Sequence, residues 1–437
     1  MTDWFDNLPA GWDVSRLRNI IESTQTGVWG DDPRGDDDDI RCVRVADFDR
    51  PRSAVGSVDT LRSVSQKDRE GRLLEPGDIL LEKSGGTDNN PVGFSVMFNG
   101  AYPAVSSNFI TRLRVKRSQM PRFWLYALDA SYATKRTERS VRRTTGIQNL
   151  DQKAFFNEEF PVPPLTEQRA IADFLDRETA RIDTLICEQN QLVELLHERR
   201  QAVLERCVTR GLDEHAPLRP STLGWTPYVP EHWTVANIRR FAAMKTGHTP
   251  SRSVAEYWVD CDIPWFTLAD VWQLRDSTRT YLGESSSMIS KLGLENSAAE
   301  LLPAGTVVLS RTASVGFTGI MPTAMATSQD YWNWVCGPRL LPEYLVYVFR
   351  AMRNEFQALM IGSTHKTIYQ PVAAAIRIPV PPLDEQRRIA AHLDEQTSKI
   401  DTLIAETRKF IELARERRSA LINAAVTGQI DVRNEVA

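Results

Sequence analysis

From Leu175 onward apolar side chains recur every seventh position, at Leu175, Ile182, Leu196 and Val203, with Gln189 interrupting the series. Leu185 and Leu192 fill the intervening position, with Ile186 and Val193 beside them. The spacing returns at Leu393, Ile400, Ala414 and Leu421, interrupted by Thr407, with Leu403 and Phe410 between. Such a repeat predicts two helices in long side-by-side contact. Pro-Val-Pro-Pro precedes each helix and cannot lie inside one, because proline lacks an N–H and clashes with the preceding turn. Thr166 and Asp384 are therefore the expected N-caps. From Glu167 to Val208, at about 1.5 Å per residue, the first helix would run on the order of 60 Å. That is a strut. Gln189 and Thr407 read as tolerated polar positions in the seam, with a register-setting role as the alternative.

The struts belong to a longer duplication. Phe160–Asp213 matches Ile378–Asp431 without a gap at an offset of 218 residues (378 − 160), with 28 of 54 positions identical. PVPPL, EQR, IDTLI, ERR and VT all stay in register, which marks an internal repeat. The preceding regions are related more distantly. Leu8–Trp12 corresponds to Val229–Trp233, and Thr26-Gly27 to Thr246-Gly247. Val45-Ala46-Asp47 corresponds to Leu268-Ala269-Asp270, and Glu75–Leu81 to Pro303–Leu309. The last pair are turn-then-strand patterns rich in β-formers. The expected fold class is α+β, with two mixed α/β domains joined by two long coiled-coil helices in a pseudo-twofold repeat. The expected boundaries are a first variable domain at 1–159, a helix at 160–213, a linker at 214–228, a second variable domain at 229–377 and a C-terminal helix at 378–437. The linker, broken by Pro217, Pro220 and Pro227, reads as extended.

At 437 residues, 42% hydrophobic and 25% charged, the chain fits a folded, water-soluble class of two or three domains. No apolar run reaches the roughly 20 residues that span a bilayer, and the N-terminal residues lack a secretory pattern. Cys42, Cys187, Cys207, Cys261 and Cys336 are scattered and read as reduced thiols in a cytoplasmic protein. The net charge of −4 means that any nucleic-acid contact must come from local patches.

Catalytic signatures are missing. There is no GxxxxGK[ST] run, no GxGxxG opening a helix, and no HxxH or HExxH pair. No cysteine stands at zinc-ligand spacing, and Asp36–Asp39 lacks the pattern of a calcium loop. Asn90-Pro91 is followed by Val92-Gly93, not by the proline and aromatic of an adenine-methyltransferase motif. No catalytic residue, metal or cofactor is expected.

Binding candidates are more evident. Arg112, Arg114, Lys116, Arg117 and Arg122 lead into Lys135, Arg136, Arg139, Arg142 and Arg143, with Phe123, Trp124, Tyr126 and Tyr132 between. The aromatics read as core. Lys135–Arg143 reads as a phosphate-contacting run. A sparser counterpart is Arg311, Arg350, Arg353 and Lys366. The polar loops Thr144–Asn149 and Gly362–Thr367 precede the struts; Gln148, Ser363, Thr364, His365 and Lys366 in them can bond base edges. Lys83 with Ser84, and Arg311 with Thr312, complete the candidate DNA contacts. On the struts, Glu198-Arg199-Arg200 and Glu416-Arg417-Arg418 stand at equivalent positions and read as a partner surface presented twice.

The chain resembles the specificity (S) subunits of type I DNA restriction–modification systems. PVPPLTEQRAIADFLD and PVPPLDEQRRIAAHLD, each continuing into IDTLI, carry the resemblance, with PEHW at Pro230–Trp233, TGHTPSR at Thr246–Arg252, EYWVDCDIPWFTLAD at Glu256–Asp270 and VTGQIDV at Val426–Val432. It implies two target-recognition domains, each reading half of a split site on double-stranded DNA, held apart by antiparallel helices. It further implies two methyltransferase subunits docked on those helices, and motor-nuclease subunits joining through the complex. The S subunit itself is not catalytic. The first domain has GVWGDDPRGDDDDIRCVRVADF where the second has the GxTPSR and IPWF form, so different half-sites are expected. Alternatives are the specificity subunit of a system whose partner fuses methylation and cleavage, an enzyme with an unrecognised centre, and a stand-alone coiled-coil scaffold.

Overall fold

Ile79-Leu80-Leu81 is apolar at every position, the pattern of a strand covered on both faces. The computed structural model, which describes residues 4–5, 8–144, 147–358 and 367–432, places all three at 0% exposure. Leu80 packs with Phe94, Val96 and Phe98 on one side, and Ile79 and Leu81 pack with aromatics of helix α1 (Pro121–Ala133) on the other. The strands Ile21–Thr26, Ile110–Val115, Ile79–Glu82 and Ser95–Met97 lie side by side, all antiparallel, with two short strands beyond. In a second sheet Asp39–Val43 runs parallel to Ala104–Ser106 and antiparallel to Leu61–Ser63.

The later half repeats the four central strands and the three-stranded sheet, without, among the described residues, the two short strands beyond. Ala242–Thr246, Tyr331–Cys336, Val307–Ser310 and Thr318–Ile320 form the antiparallel sheet. Ile263–Phe266 runs parallel to Ala326–Thr327 and antiparallel to Met288–Ile289. Short antiparallel pairs, Asp13–Arg16 with Glu159–Val162 and Thr234–Asn237 with Arg377–Val380, close each domain at the start of its strut.

The struts are helix α2 (Leu165–Arg210) and, after helix α3 (Pro342–Ala351), helix α4 (Leu383–Val426). Contacts divide the chain into two compact units, Met1–Asn190 with Lys409–Ala437, and Gln191–Arg408. In the first, Ile171, Ala172 and Leu175 of α2 share a core with Ile422, Ala425 and Val426 of α4. In the second, Val193 and Leu196 pack on Ile400 and Ile404. Within the first unit the cross-helix pair Asp183–Arg418 joins the packing of Ile171–Leu175 on Ile422–Val426. Rising numbers on α2 thus meet falling numbers on α4, so the segments run antiparallel.

Several expectations need correction. The helices begin at Leu165 and Leu383, directly after the prolines, so Thr166 and Asp384 lie in the first turn and are not caps. Of the apolar neighbours at the second seam position, Val193, Ile404 and Ile411 turn inward, while Leu192, Leu403 and Phe410 are 41%, 49% and 44% exposed. Thr407 is buried, its hydroxyl donating to Leu403 O at 2.7 Å. Part of the stretch read as an extended linker is an antiparallel hairpin, Leu218–Leu223 with Thr226–Pro230.

Two glycines are demanded by crossing backbones. A Cβ on Gly27 would lie 2.1 Å from Ser106 O, and one on Gly247 2.1 Å from Thr327 O. Carbonyl atoms of a paired strand cannot swing aside. Gly247→Ala is expected to lower stability by about 3 kcal/mol or more, an overpacking cost at the upper end of the usual range. Gly224→Ala, whose Cβ would meet nothing closer than 3.7 Å, is the control. Urea midpoints of the two variants check this, and equal midpoints would refute it.

Candidate nucleic-acid interface

In the first unit the strand Ile79–Glu82 ends at Lys83, whose backbone is fixed on both sides. Its N–H donates to Phe109 O at 2.9 Å, and its carbonyl accepts from Leu150 N at 2.8 Å. The side chain reaches Thr26 Oγ1 at 3.4 Å. Among the described residues Lys83 has no carboxylate partner, and partial burial holds its ammonium pKa below the ordinary lysine value. Ser84 donates to Asn149 Oδ1 at 2.6 Å. Together with Asn108, Phe109, Leu150 and Gln152 these residues line an open cleft of about 250 Å³. Phe109 is 46% exposed at its rim. A cation, hydroxyl and amide donors, and an exposed ring can meet phosphate, base edges and a base face respectively.

The second unit builds the same edge from other side chains. Val307–Ser310 ends at Arg311, whose N–H donates to Asp330 O at 2.9 Å and whose carbonyl accepts from Ile368 N at 3.0 Å. Its guanidinium lies 4.3 Å over the Trp332 ring, a preorganised stack. Burial lowers its pKa from the ordinary arginine value, and its Nε has no partner among the described residues. Thr312 pairs with Thr367, as Ser84 pairs with Asn149 in the first unit. Ala313 follows with φ +57°, a conformation costly for a residue with a side chain.

Folding pairs part of the basic run and leaves part of it exposed. Arg112 is buried. Arg114 pairs with Asp78 at 2.8 Å and Glu75 at 2.9 Å, and Arg122 with Asp176 at 2.7 Å. Arg136 lies over the Trp4 ring at 4.4 Å and donates to Glu159 O at 3.3 Å. Arg142 pairs with Asp151, and Arg143 with Asp88 at 3.8 Å. Lys116, Arg117, Lys135 and Arg139 are exposed. The stretch read as a polar loop belongs to a hairpin, Val141–Thr144 with Ile147–Leu150. There Gln148 is 5% exposed and donates to Asp88 Oδ1 at 3.2 Å. Arg350 is buried, donating to Arg279 O at 2.6 Å, and Arg353 stacks on Phe317. Ser363, Thr364, His365 and Lys366 lie outside the described residues.

On the struts, Glu198, Arg199, Glu416 and Arg417 are exposed. Arg200 and Arg418 instead turn into the seam. Arg200 donates to Asp401 Oδ1 at 2.9 Å and Ser277 O at 2.6 Å. Arg418 donates to Asp183 Oδ1 at 3.0 Å and Pro51 O at 3.1 Å. The sequence reading missed a different outward feature. Leu192 and Leu195 are 41% and 60% exposed, and their repeat equivalents Phe410 and Leu413 are 44% and 54% exposed. The duplication carries the signal, since 192 + 218 = 410 and 195 + 218 = 413, but seven-residue spacing places Leu192 and Phe410 in the seam. Among the described residues no group of three or more His, Cys, Asp or Glu could hold a metal ion, and no helix is long and apolar enough to cross a membrane.

A sequence profile described as type I restriction modification DNA specificity domain matches residues 9–195 and again 230–413. The MjaVIII specificity subunit of a type I restriction enzyme from Methanocaldococcus jannaschii is 25% identical over 378 residues, covering 83% of this chain and 81% of the relative. The EcoR124I/EcoR124II specificity subunit of Escherichia coli is 22% identical, covering 68% of this chain and 67% of its own. Among solved structures, a chain from work on complex assembly and conformational transition of the type I R-M system superposes with TM-score 0.75 at 17% identity, covering 97% of this chain and all of the other. The HsdS subunit of Thermoanaerobacter tengcongensis gives 0.56 at 18% identity, covering 98% of this chain and all of its own.

Proposed function

The chain belongs to the type I restriction modification DNA specificity family, and we propose from that premise that its two variable domains, 1–159 and 229–377, each read one half of a split, asymmetric site on duplex DNA. One observation carries the reading. The same backbone edge occurs in both units but is lined differently, by Lys83, Ser84 and Asn149 in one and by Arg311, Thr312 and Thr367 in the other. Equal scaffolds bring equal approaches to the duplex, and unequal side chains select unequal bases. Phosphate contacts fix the orientation of each domain. With a net charge of −4, non-specific binding is weak and the local cations decide placement.

The struts serve as a ruler and a dock in this proposal. Their length sets the number of unread base pairs between the half-sites. Their outward residues receive two methyltransferase subunits, which do the chemistry, and motor-nuclease subunits join through that complex. The chain needs no cofactor of its own. Mapping methylated adenines across the genome of a host that carries this chain and its methyltransferase partner is the test. A split motif with two different half-sites and a fixed gap is the expected result; a short continuous palindrome would overturn the proposal.

A further inference from the structure

Arg200 and Arg418 are the same residue of the duplication (200 + 218 = 418), and so are their partners Asp183 and Asp401 (183 + 218 = 401). In the second unit the Arg200 guanidinium, on α2, holds Asp401 of α4 at 2.9 Å and the carbonyl of Ser277 in the variable domain at 2.6 Å. In the first unit Arg418, on α4, holds Asp183 of α2 at 3.0 Å and the carbonyl of Pro51 in the variable domain at 3.1 Å. Each guanidinium therefore joins three bodies: its own helix, the opposed helix and a loop of the reader. Both loops contain a non-glycine residue in the left-handed region, Ser53 at φ +48° and Ser277 at φ +58°. Backbone strain of this kind persists where surrounding contacts over-determine it.

The two junctions are alike in the frame and unlike in the reader. Asp129 of α1 lies 3.6 Å from Arg418. In the second unit Arg350 stands near Arg200 instead, donating to Arg279 O at 2.6 Å and lying 5.4 Å over the Tyr347 ring. A buried ion pair gives little net stability, because desolvation offsets the attraction. Its value lies in geometry, since a planar fork of donors accepts one arrangement of acceptors and lysine cannot copy it.

We propose that Arg200 and Arg418 are positioning residues that lock each reader to the helix pair, so that the gap between half-sites is enforced as a fixed number of base pairs. Neither residue touches DNA in this account. The inference rests on the split-site reading given above.

The test uses the full chain assembled with its methyltransferase partner. Methyl transfer is measured on duplexes carrying the two half-sites mapped in the host, at the native gap and at one base pair fewer and one more. Arg200→Gln or Arg418→Gln should lower the preference for the native gap about tenfold, within the roughly hundredfold that a 1 Å misplacement can cost, with base preference inside each half-site unchanged. Arg200→Lys and Arg418→Lys should fail to restore it. Assembled variants that keep the wild-type gap preference within a factor of two would overturn the inference. So would failure of all four variants to assemble, because the residues would then act in folding alone. A wild-type complex without a split target would instead remove the proposed function itself, and the two failures are thus separable.

Discussion

Replacing Lys83 and Arg311 together by glutamate should abolish site-directed methylation, while either alanine substitution should weaken cognate binding tenfold to a hundredfold or more. The single effects correspond to about 1–3 kcal/mol, the usual worth of one good base contact. Both side chains are held where a strand ends, by backbone bonds on either side of the residue. Both are cations that partial burial desolvates, and a phosphate or a base acceptor offsets that cost when DNA arrives. Arg311 is already stacked on Trp332, so little side-chain entropy remains to be lost on binding. Glutamate adds repulsion to loss, and two such changes at separate half-sites should add. Binding isotherms over a range of salt separate the roles. A residue that contacts phosphate lowers the salt slope by about one unit when removed, whereas a base-reading residue relaxes preference at one position. Full activity of the double glutamate variant would remove this edge from the interface.

The second large effect concerns assembly. Leu192→Asp with Leu195→Asp should leave a complex carrying one methyltransferase subunit where the proposed parent complex carries two. Adding Phe410→Asp and Leu413→Asp should leave none. These side chains are 41–60% exposed on α2 and α4, and within each pair the residues are three apart, so they share a helix face. Covering what remains open of such side chains contributes about 0.6–1.8 kcal/mol each, and a buried unpaired carboxylate costs more still. Stepwise loss is expected if the two pairs serve two docks, because each pair is the repeat image of the other. Native mass measurement of the purified complexes reads the stoichiometry, and loss of both subunits from the first pair of substitutions would contradict the two-dock arrangement. Glu198, Arg199, Glu416 and Arg417, all exposed, would stand at the rim of such a surface, where substitutions act weakly.

The frame was legible in the sequence and the surfaces were not, for a physical reason that particular residues show. Thr26-Gly27 and Thr246-Gly247 could be matched because a crossing carbonyl forbids any side chain at each glycine. Trp12 and Trp233 could be matched because each donates to the same strut carboxylate, Glu167 at 2.8 Å and Glu385 at 3.1 Å. Backbone constraints of this sort leave fixed letters. Charge along the basic run could not say which cations meet a carboxylate: Arg114 and Arg122 meet Asp78 and Asp176, whereas Lys135 and Arg139 stay exposed. Leu192 and Val193 are both apolar, so periodicity alone could not say which one faces the other helix. For Arg200 and Arg418, the repeat revealed that something was kept, but only packing revealed that it was kept inward.

The duplicated junctions also bear on how such a gene can change. Asp183 precedes Arg200 by 17 residues on α2 (200 − 183), and Asp401 precedes Arg418 by 17 on α4 (418 − 401). A recombination event anywhere within the repeated stretch yields a hybrid helix that still carries one Asp and one Arg at that interval, and still carries one outward apolar pair. Crossing over at those stretches would therefore exchange entire readers between genes while leaving the frame's inherited contacts intact. New target sequences would then arise by shuffling, in a single step, without passing through a chain that cannot assemble.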